Sequence, residues 1–182
     1  MSGIKKRILV ALAGNPNSGK STLFNNLTGS RQHIGNYPGV TVEKKEGRTT
    51  YKGYEVVFVD LPGTYSLSAR SEDEMVARNF IVDEKPDVVV HVVDASNLER
   101  NMYLFTQLSE LDVPVVLAMN MSDMVEGKGY TINYEILSKS LGKPVVPTVG
   151  NKNKGMSKLL EAVIAVYEKM ITVSKTKVDY GL

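Results

Sequence analysis

The stretch Gly14-Asn15-Pro16-Asn17-Ser18-Gly19-Lys20-Ser21 leaves few folds open to this chain. Its spacing is G-x-x-x-x-G-K-S. It directly follows the apolar run Ile8–Ala13 and directly precedes Leu23, Phe24 and Leu27, which are spaced as on one face of a helix. A buried strand must therefore end, turn tightly and enter a helix within this one loop. The glycines let the backbone wrap with its N–H groups pointing inward, and the helix N-terminus adds partial positive charge. Such a loop is suited to holding phosphate. Asn15, Asn17, Ser18, Gly19, Lys20, Ser21 and Thr22 are the candidate contacts. Lys20 is expected to reach the outer phosphates, and the Ser21 hydroxyl to ligate Mg²⁺. The alternative, an ordinary glycine turn, does not explain the flanking strand and helix.

The rest of the chain alternates strand-like and helix-like segments, which predicts an α/β fold with a mostly parallel sheet and helices on both faces. Six strands are expected, at Arg7–Ala13, Gly47–Tyr51, Glu55–Asp60, Asp87–Asp94, Val113–Met119 and Pro144–Pro147. Lys52-Gly53 reads as a hairpin turn, so one edge strand should be antiparallel. Helices fit Ser21–Thr28, Glu72–Asp83, Leu98–Leu111, Tyr134–Leu141 and Met156–Met170. Ser71 and Glu74 form a capping box; Asn133 and Gly142 bound the fourth helix. One domain is expected over residues 1–172, with 173–182 a polar tail or linker.

The longest apolar runs, such as Val113–Met119, are strand-sized and far short of the roughly 18 residues of a membrane span. With a net charge of +2, no global field points to nucleic acid, and none is expected as a partner. There is no cysteine, so disulfides and thiolate metal sites are excluded, which suits a reducing cytoplasm.

Candidate functional residues fall at the carboxyl ends of strands, where open α/β sheets bind ligands. Asp60-Leu61-Pro62-Gly63 is a D-x-x-G turn. Asp60 is expected in the second coordination shell of Mg²⁺, and the Gly63 N–H on a γ-phosphate. Asn120-Met121-Ser122-Asp123 is an N-x-x-D turn that reads guanine. Asp123 can accept from the base N1–H and exocyclic amine, a pattern adenine lacks. Asn120 is expected to tie the base to neighbouring loops. Met121 stands where the usual motif has lysine and can supply apolar contact without charge. Thr148-Val149-Gly150 resembles the last guanine-contacting loop, with Val149 in place of a small alanine. Thr41 lies in a glycine- and proline-rich stretch, Ile34–Glu43, that reads as a mobile switch loop. It is expected to ligate Mg²⁺ when the γ-phosphate is present. Together these elements identify a small GTPase-type G domain.

Three longer stretches narrow the family: GNPNSGKSTLFNNLTG at Gly14–Gly29, IGNYPGVTVEKKEG at Ile34–Gly47 and DLPGTYSLSARSEDEMVARN at Asp60–Asn79. They resemble the cytoplasmic G domain of the ferrous iron transport protein B family, and the resemblance runs from about Ile8 to Met170. It implies a GTP-binding, slowly hydrolysing switch at the cytoplasmic face of a membrane. A helical spacer and a transmembrane Fe²⁺ permease region would follow in the full-length protein, and a G-domain dimer is possible by analogy. It also implies that Asn17 helps hold a K⁺ ion, which would stand in for an arginine finger. Lys20, Thr41, Gly63 and Asn17 are the catalytic candidates.

Thr64 follows Gly63 where Ras-like enzymes carry a water-orienting glutamine, so slow turnover of GTP to GDP is expected. His91, inside a valine strand, reads as a packed, hydrogen-bonded core residue, and Lys152, Lys154 and Lys158 as a solvated face. Two other readings stay open. One is a ribosome- or tRNA-associated GTPase; the other is a nucleotide-controlled interaction module without useful catalysis.

Overall fold

A computed structural model describes Gly3 and residues 6–169. The expected tail at 173–182, and Met170 on the last helix, lie outside the described residues. One seven-stranded sheet organises everything else. Its strands are β1 (Lys6–Gly14), β2 (Gln32–Asn36), β3 (Glu43–Tyr51), β4 (Tyr54–Asp60), β5 (Val88–Asp94), β6 (Val115–Asn120) and β7 (Val145–Pro147), in the spatial order β2-β3-β4-β1-β5-β6-β7. From β4 to β7 all neighbours are parallel, while β2 and β3 are antiparallel.

The α/β class and the mostly parallel sheet are as expected; among the described residues the sheet has seven strands, not six. The additional strand, β2, lies in what reads from sequence as the start of a mobile loop and carries His33 and Ile34. It pairs with an N-terminal extension of β3, Gln32 opposite Gly47 through Asn36 opposite Glu43. The antiparallel edge is therefore two strands wide. Lys52 and Gly53 make the hairpin with φ of 47° and 84°, the left-handed pair that a twisted two-residue turn requires.

Alternation within the central strands splits the core in two. Ile8, Val10 and Leu12 of β1 join Phe58, Val90 and Ala118 on one face. Leu23, Phe24 and Leu27 of α1 (Lys20–Thr28) and Leu159 and Val163 of α6 (Met156–Tyr167) cover them. Ala11 and Ala13 join Val59, Val93 and Met119 on the other face. There α2 (Glu72–Asn79) and α3 (Leu98–Glu110) supply Val76, Leu104 and Leu108. Each fully buried Val, Leu, Ile, Phe or Met side chain among these contributes about 1.5–3 kcal/mol of transfer free energy.

Helix termini follow their local chemistry. Glu74 N–H donates to Ser71 Oγ at 3.2 Å, and the Glu74 carboxylate accepts from Arg70 N–H at 3.0 Å. A π-type turn, Phe80–Glu84, continues α2 to Lys85, which has a φ of 47°. Two more helices follow β6: α4 (Ser122–Gly127), which the periodicity does not announce, and α5 (Tyr134–Leu141), capped by Asn133 and ended by left-handed Gly142. Among the described residues no helix is long and apolar enough to cross a membrane.

Candidate functional site

The chain leaves β1 at Gly14, close enough to β5 that a Cβ there would stand 2.7 Å from the Val92 carbonyl oxygen. It enters α1 through Gly19, whose φ is 86° and whose absent side chain makes room for Asn120 Nδ2. The first turn of α1 has neither a side-chain cap nor an acidic residue. Its N–H groups are therefore free for an anion. Every predicted loop residue except Ser18 lines an open cavity of about 390 Å³, and Gly63 joins them. Ser18 is buried beneath. Its Oγ and the Asn15 Oδ1 are buried polar atoms without a hydrogen-bond partner. This cradle fits a polyphosphate.

The D-x-x-G turn is pinned to the loop. Thr64 N–H donates to the Gly14 carbonyl at 3.1 Å, and a Cβ on Gly63 would meet Pro16 Cα at 3.2 Å. Lys20 Nζ donates to Asp60 Oδ1, and both side chains are more than nine-tenths buried. Their opposite charges balance where neither could be buried alone. The Tyr37 hydroxyl donates to the Asp60 carbonyl at 3.1 Å, and burial, with the Asp60 charge adding to it, raises the phenol above its ordinary range. Thr64 itself is buried and does not line the cavity.

Asn120 joins the rest. At the end of β6 and 2% exposed, it donates from Nδ2 to the Ser18 carbonyl at 3.0 Å. Its Oδ1 accepts from Gly150 N–H at 3.0 Å and from the Thr148 hydroxyl at 3.1 Å. The expected role of Asn120, tying the base to neighbouring loops, has its loop half here: the side chain joins the phosphate loop and the Thr148–Gly150 loop to the N-x-x-D turn. Met121 follows in a left-handed turn with a φ of 57°, and its Cε would lie 3.7 Å from a Cβ on Gly19. That turn starts α4 and sets Asp123 in its first turn, exposed. Thr148, Val149 and Gly150 are all buried, with Asn26 Nδ2 donating to the Gly150 carbonyl at 2.7 Å. Thr41 is not brought to the cavity. It sits exposed in the turn between β2 and β3, where Tyr37 N–H donates to the Val42 carbonyl at 3.0 Å.

Two groups escaped sequence reasoning. Arg100 of α3 stacks on Tyr65, 4.8 Å from ring centroid to guanidinium, and its carbonyl accepts from Asn15 Nδ2 at 3.1 Å. Lys152 Nζ lies 3.3 Å from Asp123 Oδ2. Neither pairing has a signal in sequence spacing.

The profile of the family described as ferrous iron transport protein B matches residues 8–163. The chain belongs to the ferrous iron transport protein B family. It is 47% identical over 176 residues to a Porphyromonas gingivalis Fe(2+) transport protein A/Fe(2+) transporter fusion protein, covering 96% of this chain and 21% of that one. It is 49% identical over 162 residues to the Escherichia coli K12 Fe(2+) transporter, covering 87% of this chain and 21% of that one. The chain thus spans about a fifth of the length of these relatives. Among solved structures, the cytosolic domain of the T. maritima iron transporter in a GDP form superposes with a TM-score of 0.92 at 43% identity, covering 96% of this chain and 69% of that one. Its GMPPNP form superposes at 0.91, also at 43% identity and with the same coverage. The fold is the family's G domain, and the family is one of P-loop GTPases. An RNA-associated relative is not favoured.

Proposed function

We propose that this domain binds guanine nucleotide with Mg²⁺, hydrolyses GTP slowly, and acts as the regulatory switch of a ferrous iron transporter. The observation that carries the reading is the Asn120 junction. One buried side chain unites the phosphate cradle, the N-x-x-D turn and the Thr148–Gly150 loop, which supports a nucleotide whose phosphate tail and purine are held by these neighbouring loops. The T. maritima relative has GDP and GMPPNP forms, which supports the nucleotide class.

Within that site each residue has a physical role. The loop N–H groups from Asn17 to Lys20 surround the phosphates, and Lys20 exchanges its Asp60 partner for outer phosphate oxygens. Ser21, exposed at the start of α1, would hold Mg²⁺ with support from Asp60. Mg²⁺ supplies charge neutralisation on the transferring phosphoryl group. Thr41 reaches the ion only if the β2–β3 turn moves, as expected of a switch element. Gly63 presents its N–H to the γ-phosphate. Asp123 selects guanine, Met121 packs beside it, and the buried Thr148–Gly150 backbone borders the base.

Asn17, exposed and left-handed with a φ of 66°, lines the cavity where a monovalent cation would meet the phosphates. Single-turnover GTP hydrolysis in K⁺ and in Na⁺ tests the catalytic part. The expected result is slow hydrolysis that is faster in K⁺ and loses that preference in Asn17→Ala. Equal rates in the two salts would remove the K⁺ role, and no hydrolysis in either would leave a binding module. Iron transport by the whole protein would follow from a spacer and membrane region beyond this chain, as the size of the relatives suggests.

A further inference from the structure

The exposed carboxylate of Asp123 has a cationic neighbour from a different loop. Asp123 lies in the first turn of α4, behind the left-handed turn at Met121, and Lys152 closes the short 3-10 turn Gly150–Lys152. Lys152 Nζ stands 3.3 Å from Asp123 Oδ2.

The loop that presents Lys152 is tightly built. Val149 and Lys154 exchange backbone hydrogen bonds at 3.0 and 3.1 Å. Lys152 N–H donates to the Val149 carbonyl at 3.1 Å, and left-handed Asn153 donates to the Gly150 carbonyl at 3.0 Å. Gly150 is in turn held by Asn120 and Asn26. The backbone therefore fixes where the Lys152 side chain starts, and Asp123 lies within its reach. This occurs in a chain whose N-x-x-D turn carries Met121, an uncharged residue, at the position where lysine is usual.

We propose that Lys152 is a positioning residue of the guanine site: its ammonium holds the Asp123 carboxylate in the orientation that receives the base edge. The inference rests on the guanine reading of Asp123 given above. A carboxylate offers about four acceptor positions. The ammonium uses one on Oδ2 and leaves enough for the N1–H and the 2-amino group. Lysine has no acceptor, so Lys152 cannot replace Asp123; it acts through it. The side chains are 56% and 36% exposed, so the effect is modest and is screened by salt.

Release and equilibrium binding of a fluorescent GDP analogue test the proposal, using Lys152→Ala and Lys152→Arg. At low salt, Lys152→Ala should bind about two- to fivefold more weakly, through faster release. The ratio should close toward one at about 0.5 M salt. Lys152→Arg should stay close to the unaltered chain. In an Asp123→Asn background probed with xanthosine diphosphate, whose 2-oxo group takes a donor, Lys152→Ala should cost nothing. Equal or tighter GDP binding by Lys152→Ala would overturn the inference, as would a loss that persists at high salt or with Asp123→Asn. If the unaltered chain ignores GDP, the guanine reading falls and this inference with it. If it binds GDP and Lys152→Ala changes nothing, only the role of Lys152 falls.

Discussion

Replacing Asn120 by alanine removes one donor and one acceptor that serves two partners. It strands the Ser18 carbonyl, the Gly150 N–H and the Thr148 hydroxyl in an interior where Asn120 is 2% exposed. A typical internal hydrogen bond contributes about 1 kcal/mol net, and a stranded buried group costs about 1–3 kcal/mol. The Thr148 hydroxyl can rotate, but the two backbone groups are fixed in direction. A water admitted to the vacated space recovers part of the loss. The expected destabilisation is therefore about 3 kcal/mol. In a chain of this size that lowers the melting midpoint by about 6–12 °C. Asn120→Asp separates the two halves of the junction. It keeps an acceptor for Gly150 and Thr148 but sets a carboxylate oxygen against the Ser18 carbonyl, so it should melt no higher than the alanine variant. Scanning calorimetry and GDP titration of both variants provide the assay. Because the junction holds the phosphate and base loops in register, GDP affinity should fall with stability. A melting shift under about 1 °C with GDP affinity unchanged would refute the claim that Asn120 joins the two halves of the site.

His91 is packed in the core as expected but not hydrogen-bonded as expected: it is fully buried among valines, has no hydrogen-bond partner on either ring nitrogen, and stacks on Phe105 at 6.2 Å. Burial pushes its pKa down to about 3, against an ordinary 6.5. Below about pH 6.5 the unfolded chain then binds the extra proton, so stability falls with falling pH by up to about 1.4 kcal/mol per unit, and above that pH the group contributes nothing. Urea midpoints at about pH 7.5 and pH 5 should show the unaltered chain losing about 2 kcal/mol more than His91→Leu, and equal losses would contradict the shift. Thr64→Ala keeps the backbone bond to Gly14, so GTP turnover should stay within about twofold; a fall of tenfold or more would give the hydroxyl a catalytic role.

The parts of this fold with strong periodicity are legible in the sequence. The apolar strands β1, β4, β5 and β6 and the faces of α1, α3 and α6 all bury several residues, which is why their patterns are clean. The strand β2 is not legible because Gln32-His33-Ile34-Gly35-Asn36 is a mostly exposed edge. It is held by backbone pairing to β3 and presents no alternating apolar face. The helix α4 buries only Val125 in six residues, too little for a helical stripe. At the site, the loop glycines and the D-x-x-G and N-x-x-D turns are legible because backbone geometry demands particular residue types there. Asn120 is flagged by its motif, but its three loop partners depend on how β6, the phosphate loop and the turn after β7 converge. The Lys152–Asp123 and Arg100–Tyr65 pairs form between segments distant in the chain, so lysine and arginine there read as surface charge. Thr41 is readable as a switch residue, while its separation from the cavity is a property of the β2–β3 turn.

Guanine selection by Asp123 next to a phosphate-binding loop is the central claim, and calorimetric titration with GDP and ADP in the presence of Mg²⁺ tests it most directly. The account predicts that GDP binds at least about a hundredfold more tightly than ADP, because adenine leaves the Asp123 carboxylate without its two donors. It also predicts that Asp123→Asn removes most of that difference without unfolding the domain. Equal affinity for the two nucleotides, or an Asp123→Asn variant that still prefers GDP as strongly, would contradict it.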